Sequence, residues 1–323
     1  MRIESFKSEH LERADILVRE NYERARESCP ALPAAGIPSI REFAENGLGA
    51  AALEGDRLLG FLGVRSPWES PWGIRGIRAV FSPLHAHAAV PEGRGMLYDR
   101  LYQAAAPLWV RAGAVSHAVS LYAHEEDSQR SFVWNGFGMR CVDSVCRLSP
   151  YEGTLQGDFR ELSREQWRLL LPLAAGLWTH LSAAPCFLCP DPKRRGYTEE
   201  EFLQDQEPDA RFFAAMDGEK AAAYLKLSFE EAETFVSAAA CMPNIKGAFC
   251  RPEYRGSGIT RDLLFFVKER LWEEGYTHLG VDFESINPCG RGFWHKHFID
   301  YTHSYVRRVD ETATYTDESV RCR

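Results

Sequence analysis

Apolar residues along the chain switch between two periods, and the order of switches occurs twice. Ile3 to Phe6 reads as a strand, and Leu11 to Arg26 carries apolar positions at helical spacing. Two short apolar runs follow, Ala50–Leu53 and Leu58–Val64, with Glu54-Gly55-Asp56 between them, the pattern of a hairpin. A further strand leads to a glycine-rich turn. After it come a helix from about Met96 to Arg111, the strand Ser116–Tyr122, a short helix and a final strand, Met139–Leu148. The segment Ser149-Pro150-Tyr151-Glu152-Gly153 has turn chemistry and ends the series. The second half then repeats it. It runs through a helix at Arg164–Leu177, strands Phe212–Met216 and Ala221–Leu227 turning at Asp217-Gly218, and a second glycine turn. A helix at Ile259–Glu274, a strand at His278–Phe283 and a closing strand at Tyr301–Val309 follow.

Landmarks recur as well as elements. Arg255-Gly256-Ser257-Gly258 lies 163 residues after Glu92-Gly93-Arg94-Gly95, and Gly275 lies 162 after Gly113. Phe293, Phe298 and Arg308 each lie 161 residues after Phe132, Phe137 and Arg147. Order and spacing held this closely mark one long repeat with two small indels. The expectation is an α/β protein of two tandem domains, 1–150 and 151–323, each a mixed sheet with helices.

Bulk properties narrow the function. A chain of 323 residues suits two domains better than one, and 45% hydrophobic with 26% charged residues is ordinary for a globular protein. Mean hydropathy is −0.33. No apolar run is long enough to span a bilayer, and the opening MRIESFKSEH lacks the basic start and apolar block of a signal peptide. Nine cysteines are an odd count, against a complete disulfide framework, and a reducing cytoplasm is expected. Acidic residues outnumber basic ones 46 to 38, for a net charge of −8, and the longest cationic cluster is Lys193-Arg194-Arg195. That balance argues against a nucleic-acid partner and slightly favours a cationic or amine substrate.

The chemistry concentrates in Gly247 to Thr260, GAFCRPEYRGSGIT, where a strand enters a glycine-rich turn that opens a helix. Such a turn aims several backbone N–H groups at one point with the helix dipole behind them, a site suited to a pyrophosphate. Gly256 and Gly258 let the backbone approach an anion closely, and Arg255 can add charge-assisted bonds. Taken alone, the motif is equally an ordinary strand–turn–helix corner. Downstream lie a helix to Gly275, the strand Leu279–Glu284, Asn287, and an aromatic-rich run from Gly292 to Phe298.

In this combination the chain resembles the GNAT superfamily of N-acetyltransferases, most strongly over 243–310 and more faintly over 89–148. The resemblance implies two GNAT-like acyl-CoA N-acyltransferase domains and acetyl-CoA as co-substrate, with no metal. It also implies direct attack by a primary amine of a small molecule or peptide, with no nucleic-acid or membrane partner. The pyrophosphate would sit on Arg255, Gly256, Ser257, Gly258, Ile259 and Thr260, with the pantetheine arm lying along Gly247–Cys250 like an added strand. A backbone N–H near Phe249 or Cys250 would polarise the thioester carbonyl, and Asn287 would touch the cofactor arm or fix its loop.

Several positions depart from the family pattern. Thr260 stands where the motif ends in Gly or Ala. The family's acid, a Tyr before the final Phe, is replaced by Phe293 or Trp294 depending on register. Tyr301 and Tyr305 are the phenols left to replace it, though packed sheet aromatics read the same way. For a base, Asp282 and Glu284 share one side of their strand, with Glu284 at its end. In the first half Glu92 sets a negative charge beside the turn and Leu97 crowds it, so that copy reads as degenerate. Two rival readings remain: a non-catalytic acyl-CoA binder or sensor, and an enzyme using longer acyl chains. Cys186-x-x-Cys189 and His85-Ala86-His87 lack the further ligands of a zinc site. Trp68 and Trp72 flank a proline turn that packs or floors a ligand cavity, and Thr312–Arg323 is unreadable.

Overall fold

The computed structural model describes residues 1–69, 71, 76–188, 196–229 and 234–314. Its elements follow the periodicity of the chain closely. They open with β1 (Arg2–Ser5), α1 (Leu11–Ser28), α2 (Arg41–Glu45), β2 (Ala50–Glu54) and β3 (Arg57–Leu62). Next come β4 (Trp68–Glu69), β5 (Arg78–Ser82), β6 (His87–Ala89), α3 (Arg94–Arg111), β7 (Ser116–Tyr122), α4 (Glu126–Trp134) and β8 (Gly138–Arg147). The second series is β9 (Asp158–Glu161), α5 (Leu171–Ser182), α6 (Glu199–Gln204), β10 (Arg211–Asp217), β11 (Lys220–Ser228) and β12 (Asn244–Cys250). It ends with α7 (Ile259–Glu273), β13 (His278–Glu284), α8 (Pro288–Trp294) and β14 (Ile299–Arg308).

These elements group into two compact units. One holds Met1–Leu32, Gly36–Val142 and Asp300–Arg323, and the other Pro33–Ala35 and Asp143–Ile299. The first has strand orders β1-β2-β3-β6 and β4-β5-β7-β14. β2 and β3 are continuous apolar runs, and Ala50 to Leu53, Phe61 and Leu62 are buried beside α3 in a core that includes Phe6, Tyr98, Trp109 and Phe132. In the second unit the order is β8-β13-β12-β11-β10-β9. There α5 packs on β12 and α7 on β10 and β11, with Trp167, Phe202 and Phe212 in the core.

Two sequence expectations change. The helix read at Arg164–Leu177 is a 3-10 turn over Arg164–Leu170 followed by α5, because Pro172 has no N–H to continue a ladder through that point. The closing strand, assigned by the repeat to the second half, belongs with the first unit. There β14 pairs antiparallel with β7 from Thr302↔Tyr122 to Arg308↔Ser116, and the Ser120 and Ser304 hydroxyls meet at 2.7 Å. Conversely, residues of β8 from Asp143 onward fall in the second unit, where Leu148 N–H donates to Thr277 O. Hydrophobic periodicity reports that a segment is a strand and which side is apolar, but not which edge it completes.

Candidate active site

The site starts from a defect in strand pairing. β12 and β13 run parallel, yet only Asn244↔Gly280 and Ile245↔Val281 are paired. The register between β11 and β12 slips at Lys226/Leu227, leaving Lys246 as an extra residue, and such a bulge bends its strand. Lys246 Nζ reaches Asp282 Oδ1 at 3.1 Å, so the carboxylate that the sequence sets beside Glu284 is held in an ion pair.

Beyond the bulge one edge of β12 is open. Arg251 N–H donates to Ala222 O at 2.9 Å, and Phe249 stands opposite Tyr224, so alternation turns the amides of 249 and 251 toward β11. The same alternation turns the amides of Ala248 and Cys250 to the open edge, where Cys250 O accepts Arg255 Nε at 3.2 Å. Of the two amides the sequence leaves open for an oxyanion, that of Phe249 is used within the sheet and that of Cys250 is presented outward. The Phe249 ring instead packs sideways: the Arg255 guanidinium lies 5.4 Å above it. A Cβ on Gly176 of α5 would come within 2.7 Å of it, so this helix approaches β12 only because position 176 is glycine.

The turn follows directly. Tyr254 Oη donates to Asp217 Oδ2 at 2.6 Å, tying the turn to the β10–β11 hairpin. Gly256 and Gly258 have φ of +80° and +91°, a backbone region that L side chains rarely adopt, and Gly258 caps α7. The Ser257 hydroxyl donates to Tyr254 O at 2.7 Å and faces Ile259 N–H at 3.4 Å. Asp262 N–H is the first to bond within the helix, to Gly258 O. Among the described residues the amides of Gly258, Thr260 and Arg261 meet no acceptor, so three donors and a helix N-terminus converge on the outside of the turn. Thr260 turns its side chain inward to the Cys250 thiol; burial pushes that thiol up, and the Thr260 hydrogen bond opposes it.

Across the opening, β13 ends at Glu284, which is half-buried. Asn287 N–H donates to Glu284 O at 3.0 Å, and the Asn287 side chain caps α8 by accepting Gly290 N–H at 3.3 Å. Its Oδ1 also lies 3.2 Å from His180 Nε2 on α5. Phe293 and Trp294 follow on α8, Trp294 buried edge-on to Phe298 at 5.6 Å. Tyr301 and Tyr305 belong to the first unit and are buried; Tyr301 O accepts Ala123 N–H, and Tyr305 Oη donates to Gln129 Oε1 at 2.9 Å. The second unit therefore gathers Glu284, Asn287, Cys250 and the turn, but not Tyr301.

The matching turn of the first unit is built differently. α3 starts at Arg94, two residues earlier in the repeat than α7, capped by Gly93 at φ +65°. Arg94 turns inward, pairs with Glu125, and bonds Asn21 Oδ1 at 3.0 Å and Ala89 O at 2.8 Å. Burial pushes the Glu125 carboxyl up while the Arg94 charge pulls it down. A Cβ on Gly95 would stand 3.0 Å from Asp127 O, so backbone of α4 backs onto this position, whereas at its counterpart Gly258 a Cβ would meet only the Arg261 side chain, at 3.2 Å. A shallow cavity of about 290 Å³ remains beside it, walled by Asp99, Asp127 and the exposed Trp134. Arg130 lines it as well and lies 3.7 Å from Asp127, so the cavity carries both signs of charge.

Comparison with known proteins fits this geometry. Residues 178–298 match the model of the acetyltransferase (GNAT) family. A GCN5-related N-acetyltransferase from Sphaerobacter thermophilus superposes with a TM-score of 0.56 at 12% identity, covering 95% of each chain. The fold is that of the GNAT acetyltransferases. A fungal protein described as a GCN5-related glucosamine N-acetyltransferase region within a multi-domain GH3 β-N-acetylglucosaminidase gives a TM-score of 0.50 at 12% identity. It is covered over 38% of its length and covers 94% of this chain. No curated protein matches the sequence. Within the GNAT fold, the matched span runs from the end of α5 through the turn to Phe298. It takes in His180, Glu284 and Asn287 and leaves out Tyr301.

The weaker signals resolve as packing where they can be seen. His85 and His87 are buried, and burial lowers each to about 4. Ser120 O can only accept, so His87 Nε2 donates to it at 2.7 Å and Nδ1 accepts from Tyr98 Oη at 2.8 Å. Cys186 is buried with its thiol toward Ile286 O, while Cys189 and Trp72 lie outside the described residues. No helix among the described residues is long and apolar enough to cross a membrane. Sequence reasoning passed over His180 and Arg94. A lone His in the last turn of an apolar helix reads as a partner of the helix dipole, and Arg94 reads as part of the turn rather than its plug.

Proposed function

We propose that this chain is an acyl-CoA-dependent N-acyltransferase that moves an acetyl group from acetyl-CoA to a primary amine of a small molecule or peptide. In this reading it is a tandem of GNAT-like copies, 1–150 and 151–323, acting in the cytoplasm, and only the second copy holds the cofactor. The observation that carries it is the turn at Gly256–Arg261. Three amides without acceptors open α7 beside a strand edge whose next outward amide is Cys250. A pyrophosphate would take the turn donors and the Arg255 charge, and the pantetheine arm would follow the open edge. The thioester carbonyl would then meet Cys250 N–H, which stabilises charge developing on its oxygen. The acceptor amine enters between the parted strands, where Glu284 attracts its ammonium and takes or passes on the first proton. Ile259 and Thr260 shape the turn, and Asn287 fixes the loop that closes the opening.

The missing family Tyr favours one alternative, a protein that binds acyl-CoA without turning it over. Release of free CoA with a panel of amines separates the two. For the cofactor site, titration calorimetry is expected to give one acetyl-CoA per chain. Gly258→Trp costs the left-handed turn about 1–2 kcal/mol, which a folded domain tolerates, and should abolish binding. Arg255→Glu, an exposed charge reversal, should weaken it without strain. Two equivalent sites, or unchanged affinity in both folded variants, would place the cofactor elsewhere.

A further inference from the structure

We propose that His180 is the acid–base group that carries the second proton of the reaction, from the attacking amine to the departing thiolate, with Asn287 holding its tautomer. This rests on the acyltransferase reading above. An ammonium loses two protons on becoming an amide. Glu284 or water takes the first before attack. The second leaves the nitrogen as the C–N bond forms, and when the C–S bond breaks the sulfur keeps the electron pair and needs a proton. One group that accepts and then returns that proton balances the step with no outside reactant. At the position of the family's Tyr, Phe293 and Trp294 have no acidic hydroxyl, and of the two phenols read as replacements Tyr305 already donates to Gln129 Oε1 at 2.9 Å.

Three observations place His180 in the role. It lies four residues after Gly176 on α5, hence on the same face, and that face abuts Phe249 at the open end of β12. Its Nε2 is 3.2 Å from Asn287 Oδ1, which already accepts Gly290 N–H. An amide oxygen only accepts, so Nε2 carries the hydrogen and the lone pair is on Nδ1. Among the described residues Nδ1 has no hydrogen-bond partner, and the ring is half-buried rather than sealed in the core. The imidazole is therefore oriented from one side by a residue fixed at a helix cap. Its basic nitrogen is left for something the fold does not provide. Glu284 begins the same turn, three residues before Asn287, so an ammonium drawn to the carboxylate arrives beside the ring.

The test uses the full chain and an amine accepted by the parent. His180→Gln keeps an N–H donor toward Asn287 but removes the basic nitrogen. It should lower kcat about 10²-fold while acetyl-CoA affinity stays within about twofold, and His180→Ala should lose at least as much and regain part of it with added imidazole. Asn287→Ala should lower kcat, and Asn287→Asp, which keeps an accepting oxygen for both donors, should restore most of it. Full turnover by folded His180→Gln overturns the assignment and leaves the acyltransferase reading standing. A parent that binds acetyl-CoA but releases no CoA with any amine overturns both.

Discussion

Arg94 and Arg255 are single charged residues beside equivalent turns, and their surroundings give them opposite work. Arg255 is exposed at an open turn, whereas Arg94 is buried against Glu125, with side-chain exposures of 9% and 1% for the pair. Removing one member of such a pair leaves a charge without water or partner, which typically costs about 3–5 kcal/mol. Arg94→Met is expected to destabilise the chain by that order in chemical denaturation, and Arg94→Met with Glu125→Leu to recover most of it. A single variant as stable as the parent would mean that the pair is not a plug. Across the opening from the second turn, the residue that matters is Glu284. An amine of pKa about 10.4 is almost wholly protonated at neutral pH, so kcat/KM should rise with pH between about 7 and 9. Glu284→Gln should lower it about 10²-fold, and Tyr301→Phe should change it little. An unchanged pH–rate profile in Glu284→Gln would leave water as the first proton acceptor.

At the scale of elements, the parting of β12 from β13 and the approach of α5 to β12 are one device. The bulge at Lys246 frees an edge, and α5 lies against the end of that edge at the contact between Gly176 and Phe249. Any side chain at 176 must displace the ring or the helix. Gly176→Val should therefore cost about 1–3 kcal/mol, as overpacked positions do. It should also reduce amine turnover more than acetyl-CoA affinity, because α5 carries His180 while the turn stands on β12 and α7. Combining it with Phe249→Ala should recover stability, a coupling that a double-mutant cycle reads directly. Additive losses would show that the two residues do not meet. The repeat pattern foretold strands and helices within a few residues here, since β7, β10, β11 and α7 carry clear periodicity. It gave no sign of the bulge, which depends on how two strands count against each other.

The whole molecule carries its buried imidazoles in the first unit. His85, His87 and His117 are each lowered from 6.5 to about 4, chiefly by burial. A base whose folded pKa is depressed is neutral in the native state and takes up protons on unfolding. Its contribution is complete above pH 6.5 and is lost as pH falls toward 4. Each group contributes about 1.4 kcal/mol per pH unit in that window, and three together on the order of 4. The first unit should thus unfold on acidification between about pH 6 and pH 4. Near-ultraviolet dichroism of Trp109, which stacks edge-on to His117 at 5.0 Å, would follow it. Full retention of that signal at pH 4 would mean that these rings are not neutral in the native state.

Much of this was written in the order of residues. The repeat, the glycine turn and the aromatic run after Asn287 are local patterns, legible because a turn of this kind needs glycine and a helix needs its period. Glu92 and Leu97 likewise announced that the first turn differs, although the mechanism is Arg94 folding inward to Glu125, a residue 31 positions away. What only the tertiary structure decided are the relations between distant segments. These are the strand edge that β14 completes, the amide of Cys250 rather than Phe249 on the open side, and the meeting of His180 with Asn287 across 107 residues. Periodicity fixes which side of a strand or helix is apolar, because burial acts on each residue separately. Which edge is satisfied by which partner is set by hydrogen bonds and close contacts between chain segments, and a one-dimensional pattern does not contain them.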